Sequence, residues 1–151
     1  LGKQTAIHEQ VLNTQSTDEL MGLYDDWAAR YDQDVNDTWG YSGPERTLCW
    51  LRTYLAPEGA RVLDAGCGTG LVAVALSKGG FRRIDGIDYS TAMLAEAAKK
   101  NVYQQLQQMN MNAALPVDAG AYDGVTCVGT FTSAHVVPEA LHELVRVTRL
   151  G

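Results

Sequence analysis

Three glycines alternate through Asp64-Ala65-Gly66-Cys67-Gly68-Thr69-Gly70, directly after the apolar pair Val62-Leu63. A glycine has no Cβ, so it tolerates tight bends and lets a ligand come up against main-chain atoms. A plain strand-to-helix turn has no need of three of them, since each adds to the chain entropy lost on folding. Between a strand and a helix, such a turn lies where open α/β sheets bind ligands. The dinucleotide fingerprint is GxGxxG, whereas the spacing here is GxGxG. Asp64 separates the two readings further. A carboxylate just before the glycines repels a pyrophosphate, but it suits a ligand carrying an ammonium and a sulfonium. The chemistry favours a sulfonium nucleoside over a nicotinamide dinucleotide.

A second acid supports this. Ile84-Asp85-Gly86-Ile87-Asp88-Tyr89-Ser90 sets Asp88 at a strand end, 18 positions after Gly70. An acceptor there is placed to take both hydroxyls of a ribose, and Tyr89 beside it offers a ring to an adenine face. The competing role for Asp88 is to cap the helix that follows. Asp85, earlier in the strand, is expected at the surface or a sheet edge.

The elements that must position these groups follow from periodicity. Residues 1–15 are weakly periodic and predict a peripheral helix. Ser16-Thr17-Asp18-Glu19 reads as a capping box. After it Leu20, Leu23, Tyr24, Trp27, Ala28, Tyr31 and Val35 form one face of an amphipathic helix. Pro44 suits the start of another helix, which Pro57-Glu58-Gly59 ends. From residue 60 short apolar runs alternate with helical stretches. Strands are expected over 61–64, 84–87, 106–109 and 122–128, and helices over 71–78, 90–101 and 138–148. That alternation indicates a parallel sheet of right-handed βαβ units.

Composition narrows the class. The chain has 151 residues, 46% hydrophobic and 20% charged, the balance of one folded domain. Its net charge of −6 argues against a nucleic-acid partner. Cys49, Cys67 and Cys127 are far apart, so neither a disulfide framework nor a metal site is expected, and the cytoplasm is the expected compartment. No apolar run approaches the ~20 residues that span a bilayer.

DAGCGTG followed by DGIDYSTAML resembles the first two motifs of class I S-adenosylmethionine-dependent methyltransferases, and the resemblance runs from about Tyr24 to Gly151. Tyr24-Asp25-Asp26-Trp27-Ala28-Ala29-Arg30-Tyr31-Asp32 and the stretch from Val128 to Val147 are similar to the Williams–Beuren-region methyltransferase-like family and its bacterial relatives. The resemblance implies a doubly wound, Rossmann-like α/β fold with strand order 3-2-1-4. It implies one domain over 1–151, with a helical amino-terminal cap over 1–57 and an α/β core over 58–151. It implies S-adenosylmethionine as cofactor and S-adenosylhomocysteine as product. Asp64, Ala65, Gly66, Cys67 and Gly68 would hold the methionine part, Asp88 the ribose, and Tyr89 and Met93 the adenine. The family has an acid after the third strand; Asn110 and Met111 stand there here, and an amide oxygen still accepts a hydrogen bond from the adenine amino group. Gly129 would line the floor, and Trp27 and Tyr31 would belong to a helical lid.

Methyl transfer needs a general base only if the acceptor must lose a proton. His135, after the fourth strand, is the best-placed candidate, although a histidine there is more often a loop or capping residue. The acceptor is expected to be a small molecule. In the family pattern the last residues lead into a fifth strand, so the fourth strand is expected to be an open edge, through which two copies could associate. A non-catalytic S-adenosylmethionine-binding module or an inactive truncated relative is the alternative to an enzyme.

Overall fold

The computed structural model describes residues 6–14, 16–35, 41–131 and 136–150. Three helices come first: α1 (Ala6–Asn13), α2 (Thr17–Gln33) and α3 (Gly43–Tyr54). The chain then alternates through β1 (Arg61–Ala65), α4 (Leu71–Lys78), β2 (Arg83–Asp88), α5 (Thr91–Ala98), β3 (Gln105–Gln108), β4 (Gly124–Thr126) and α6 (Ala140–Val147). The strands form one parallel sheet in the predicted order β3-β2-β1-β4. The strand order reverses between β1 and β4, which opens a crevice at the carboxyl ends of the strands there.

Both faces of the sheet are covered, so the central strands are apolar on both sides. Leu63, Ala65 and Ile87 pack with Tyr122, Leu144 and Val147 on the α6 side. Val62 and Ile84 pack with Ala73, Leu76 and Phe81 on the α4 side, where Leu48 and Leu51 of α3 and Leu55 just after it close over them. The helical stripe predicted in α2 is real: Leu20, Trp27 and Val35 are buried together with Val11 of α1, and Leu71 of α4 joins this cluster to the core.

Local signals set the helix ends. Ser90 caps α5, its hydroxyl accepting from the Met93 N–H at 3.1 Å. Ser16 caps α2 by accepting from the Glu19 N–H at 3.4 Å. The box is not reciprocal, because the Glu19 carboxylate accepts from the Thr14 hydroxyl at 2.8 Å instead.

Two expectations change. The predicted fourth strand over 122–128 shortens to Gly124–Thr126, while Tyr122 bridges to Thr148. Among the described residues β4 is paired to β1 alone, and without a second neighbour the chain leaves the sheet after Thr126. Asp85 is not at the surface: it is 4% exposed. β2 is an interior strand, and packing on both faces of the sheet buries its side chains. Its carboxylate accepts from the Arg61 guanidinium at 2.8 Å and the Tyr122 hydroxyl at 3.0 Å. Arg61 in turn lies 4.7 Å over the Tyr122 ring. One carboxylate oxygen, Oδ1, is buried with no hydrogen-bond partner among the described residues. Among the described residues no helix is long and apolar enough to cross a membrane.

Candidate functional site

The glycine turn after β1 is bent by three left-handed residues, Gly66 (φ +69°), Gly68 (φ +52°) and Gly70 (φ +91°). The N–H groups of Gly66 and Cys67 both donate to the Ile87 carbonyl, at 2.8 and 3.0 Å, and so tie the turn to the end of β2. The glycines then differ. A Cβ on Gly66 would stand 2.5 Å from the Thr130 hydroxyl, whereas a Cβ on Gly68 would meet no protein atom within 4 Å. Gly66 is there for the protein's own packing, and Gly68 faces open space.

Asp88 joins that turn to the next one. Its Oδ2 accepts from the Gly68 N–H at 2.8 Å and its Oδ1 from the Ser90 N–H at 2.9 Å. The group itself lines the opening between the two turns.

A cavity of about 360 Å³ lies over this pair of turns, in the size range of small-molecule sites. Of the residues singled out from sequence, Tyr31, Gly66, Gly68, Asp88, Tyr89, Met93, Asn110, Met111 and Gly129 line it. Its charged lining is Asp18 and Asp88, with no lysine or arginine among the described lining residues. Such a wall suits a cation or a neutral ligand and disfavours a pyrophosphate.

Four other predicted residues stand behind the wall. Asp64 is buried, its Oδ2 accepting from the Tyr103 hydroxyl at 2.8 Å and its Oδ1 from the Thr126 hydroxyl at 3.0 Å. Burial lifts its pKa to about 6 against the pull of those two bonds, and the nearby Asp88 adds to the rise. Ala65 is fully buried in β1. The Cys67 thiol is buried and burial pushes its pKa up, so it is unreactive. Trp27 is 1% exposed, donates from Nε1 to the Asp34 carboxylate at 2.8 Å and meets the Tyr31 ring edge-on at 4.7 Å. It buttresses Tyr31 from behind. His135 lies outside the described residues.

Tyr31 is kept neutral, burial raising its hydroxyl to about 12. Tyr24 also lines the cavity and is pushed up by burial. Sequence reasoning placed Tyr24 on the buried stripe of α2 and missed its place in the wall. The signal was present, since Tyr24 and Tyr31 are seven residues apart, two helical turns, and therefore share a face. Asn110 spends one acceptor locally, its Oδ1 taking the Asn112 N–H at 2.9 Å. Asn112 in turn accepts from the Val137 N–H at 2.9 Å, which ties the loop after β3 to the segment before α6.

The model of a family described as "Methyltransferase domain" matches residues 62–151. Methyltransferase-like protein 27 of Homo sapiens is 39% identical over 136 residues, covering 88% of this chain and 55% of that protein. EEF1A lysine methyltransferase 2 of Danio rerio is 31% identical over 107 residues, 62% of this chain and 46% of that one. Ubiquinone biosynthesis O-methyltransferase of Alkalilimnicola ehrlichii is 28% identical, covering 85% of this chain and 57% of its own. The chain thus spans about half the length of the curated relatives it matches. Among solved structures, a SAM-dependent methyltransferase from Thermotoga maritima shares the fold with a TM-score of 0.62 at 22% identity, over 85% of this chain and 56% of that one.

Proposed function

The chain belongs to the class I S-adenosylmethionine-dependent methyltransferases, and we propose that it transfers a methyl group to a small-molecule acceptor in the cavity beneath α2. The observation that carries this reading is the Asp88 carboxylate, bonded to the N–H of Gly68 where that glycine leaves open space. The residues fit S-adenosylmethionine. The cradle at Gly68 admits main-chain contact with a ligand, and the charged lining is acidic only, as a sulfonium and an ammonium require.

When bound, the cofactor supplies a methyl carbon activated by positive sulfur. The protein's part is to orient and to exclude water. In this reading Gly66 and Gly68 bear on the methionine portion, with Ala65 and Cys67 shaping the turn from behind. Asp88 takes the ribose hydroxyls, and Tyr89, Met93, Asn110 and Met111 surround the adenine. Gly129 keeps the floor clear, and Tyr31, backed by Trp27, closes the roof. Asp64 contributes a negative charge through the wall. His135 is the proposed base for acceptors that must lose a proton. The cap over 1–57 and the core over 58–151 act together, because lid and floor line the same cavity.

The cavity's volume of about 360 Å³, in the range of small-molecule sites, supports a small acceptor. Relatives named for lysine and for O-methylation make amines and hydroxyl compounds the first classes to screen. We also place self-association at the β4 edge, and the cytoplasm as the setting, in keeping with three free cysteines.

Calorimetry with S-adenosylmethionine, S-adenosylhomocysteine and NAD tests the cofactor, and release of S-adenosylhomocysteine in an acceptor screen tests the reaction. Binding of NAD alone would overturn the reading. Asp88→Ala is expected to weaken S-adenosylmethionine by roughly 1.5–3 kcal/mol, the worth of charged hydrogen bonds to a ribose. An unchanged affinity removes Asp88 from that role.

A further inference from the structure

The same dipeptide occurs twice on α2, as Tyr24-Asp25 and Tyr31-Asp32. Seven residues are two turns of helix, so the two aspartates share a face just as the two tyrosines do. The tyrosines line the cavity. The aspartates reach different turns of the core. Asp25 Oδ1 accepts from the Ser90 hydroxyl at 2.6 Å. Asp32 accepts from the Thr69 hydroxyl and pairs with the Lys100 ammonium just beyond α5.

Both hydroxyls are buried, Thr69 at 2% and Ser90 at 4% exposure. Each needs an acceptor for its proton, and a buried donor left without one costs about 1–3 kcal/mol. Ser90 already uses an oxygen lone pair to cap α5, so Asp25 satisfies the other half of the group. Their positions matter more. Thr69 lies between Gly68 and Gly70, and Ser90 lies two residues after Asp88. Those are the turns that the Asp88 carboxylate links from inside. α2 therefore spans the ligand seat and holds both of its sides.

We propose that Asp25 and Asp32 are positioning residues that fix the separation of the glycine turn and the Asp88 turn, so that docking of α2 and binding of the adenosyl ligand are coupled. The inference rests on the cofactor reading above. The helix has its own apolar anchor in Leu20, Trp27 and Val35, all fully or almost fully buried. Loss of either aspartate costs the stability of one buried hydroxyl left without its acceptor, while this apolar anchor keeps α2 docked. The aspartates' further consequence is expected in affinity, and by linkage the ligand must tighten α2 as much as α2 tightens the ligand.

The test is a double-mutant cycle read by calorimetry with S-adenosylhomocysteine, on variants whose circular dichroism shows them folded. Asp32→Ala and Thr69→Val are each expected to weaken binding about tenfold, the worth of one charge-assisted hydrogen bond. The double variant is expected to be no weaker than either single one. Thr69→Val keeps the side-chain volume, so it carries the expectation even where Asp32→Ala does not fold. Amide exchange in α2, read relative to exchange in the strands of the core, supplies a readout that separates coupling from general stability. Saturating S-adenosylhomocysteine slows exchange over 24–32 in the wild type and fails to do so in Asp25→Ala/Asp32→Ala. Wild-type binding with variants within twofold of it, or additive losses, overturns the coupling alone. A wild-type chain that binds no S-adenosylhomocysteine overturns the cofactor reading and the coupling with it.

Discussion

Asp64 and Asp88 end neighbouring strands, yet one is sealed behind the cavity wall and the other opens into it. Sealing raises the Asp64 pKa to about 6, above the ordinary carboxyl range. A raised pKa means that the folded protein holds this proton more tightly than the unfolded chain does. The stability contributed by the neutral form is complete below the ordinary carboxyl range and is lost as pH rises through 6. Unliganded wild type should therefore lose thermal stability relative to Asp64→Asn between about pH 4 and about pH 7. Ligand binding runs the other way, because the ionised carboxylate attracts a sulfonium. Affinity for S-adenosylmethionine should rise over the same interval by roughly tenfold, the equivalent of a one-unit pKa shift on binding. S-adenosylhomocysteine has no positive sulfur and should respond less, and Asp64→Asn should flatten the difference. Calorimetry at a series of pH values checks both signs, and equal slopes for the two ligands would refute the charge argument.

At the scale of elements the glycine turn makes the sharper test. Alanine at Gly66 has to sit at φ +69° with its Cβ 2.5 Å from the Thr130 hydroxyl, so Gly66→Ala is expected to lose about 2–3 kcal/mol of stability from strain and overlap together. Gly68→Ala meets no protein atom within 4 Å and should lose only the ~1–2 kcal/mol of a left-handed alanine. Its methyl nevertheless projects where the ligand must approach, so it should abolish measurable binding while remaining folded in denaturant melts. This turn was legible from sequence because its signals are local: an apolar run, alternating glycines and an acid at each strand end. The order of the sheet came from the family resemblance that this turn carries, and the structure bears it out. What escaped depends on partners far along the chain. Asp85 is buried because Arg61 and Tyr122, 24 and 37 residues away, receive its charge. The extent of β4 depended on a neighbour that a local apolar run does not reveal. The roles of Asp25 and Asp32 likewise depend on Ser90 and Thr69, 65 and 37 residues away, which fold beneath α2.

The whole molecule is asymmetric about its sheet. Both margins are edge strands, but they differ in chemistry. β3 presents Gln105, Gln107 and Gln108 to solvent, polar side chains that blunt an edge. β4 is flanked by apolar side chains on both faces, Trp50 and Tyr54 of α3 above it and Leu141 and Val145 of α6 below it, each at least half exposed. Among the described residues β4 pairs with β1 alone, and a strand edge between two apolar shelves is a template for another strand. Two copies related by a twofold axis would pair β4 with β4 antiparallel and bring the shelves together. The net charge of −6 opposes this at low ionic strength and is screened at physiological salt. Sedimentation of the 151-residue chain in 0.15 M salt should therefore show a monomer–dimer equilibrium that shifts toward monomer as salt is lowered. Leu141→Glu with Val145→Lys should weaken it by about tenfold or more and leave the melting temperature nearly unchanged, since both side chains lie on the solvent face of α6. A single monomer mass at every concentration and salt would remove the β4 edge as a self-association surface, and would leave the reading of the cavity unchanged.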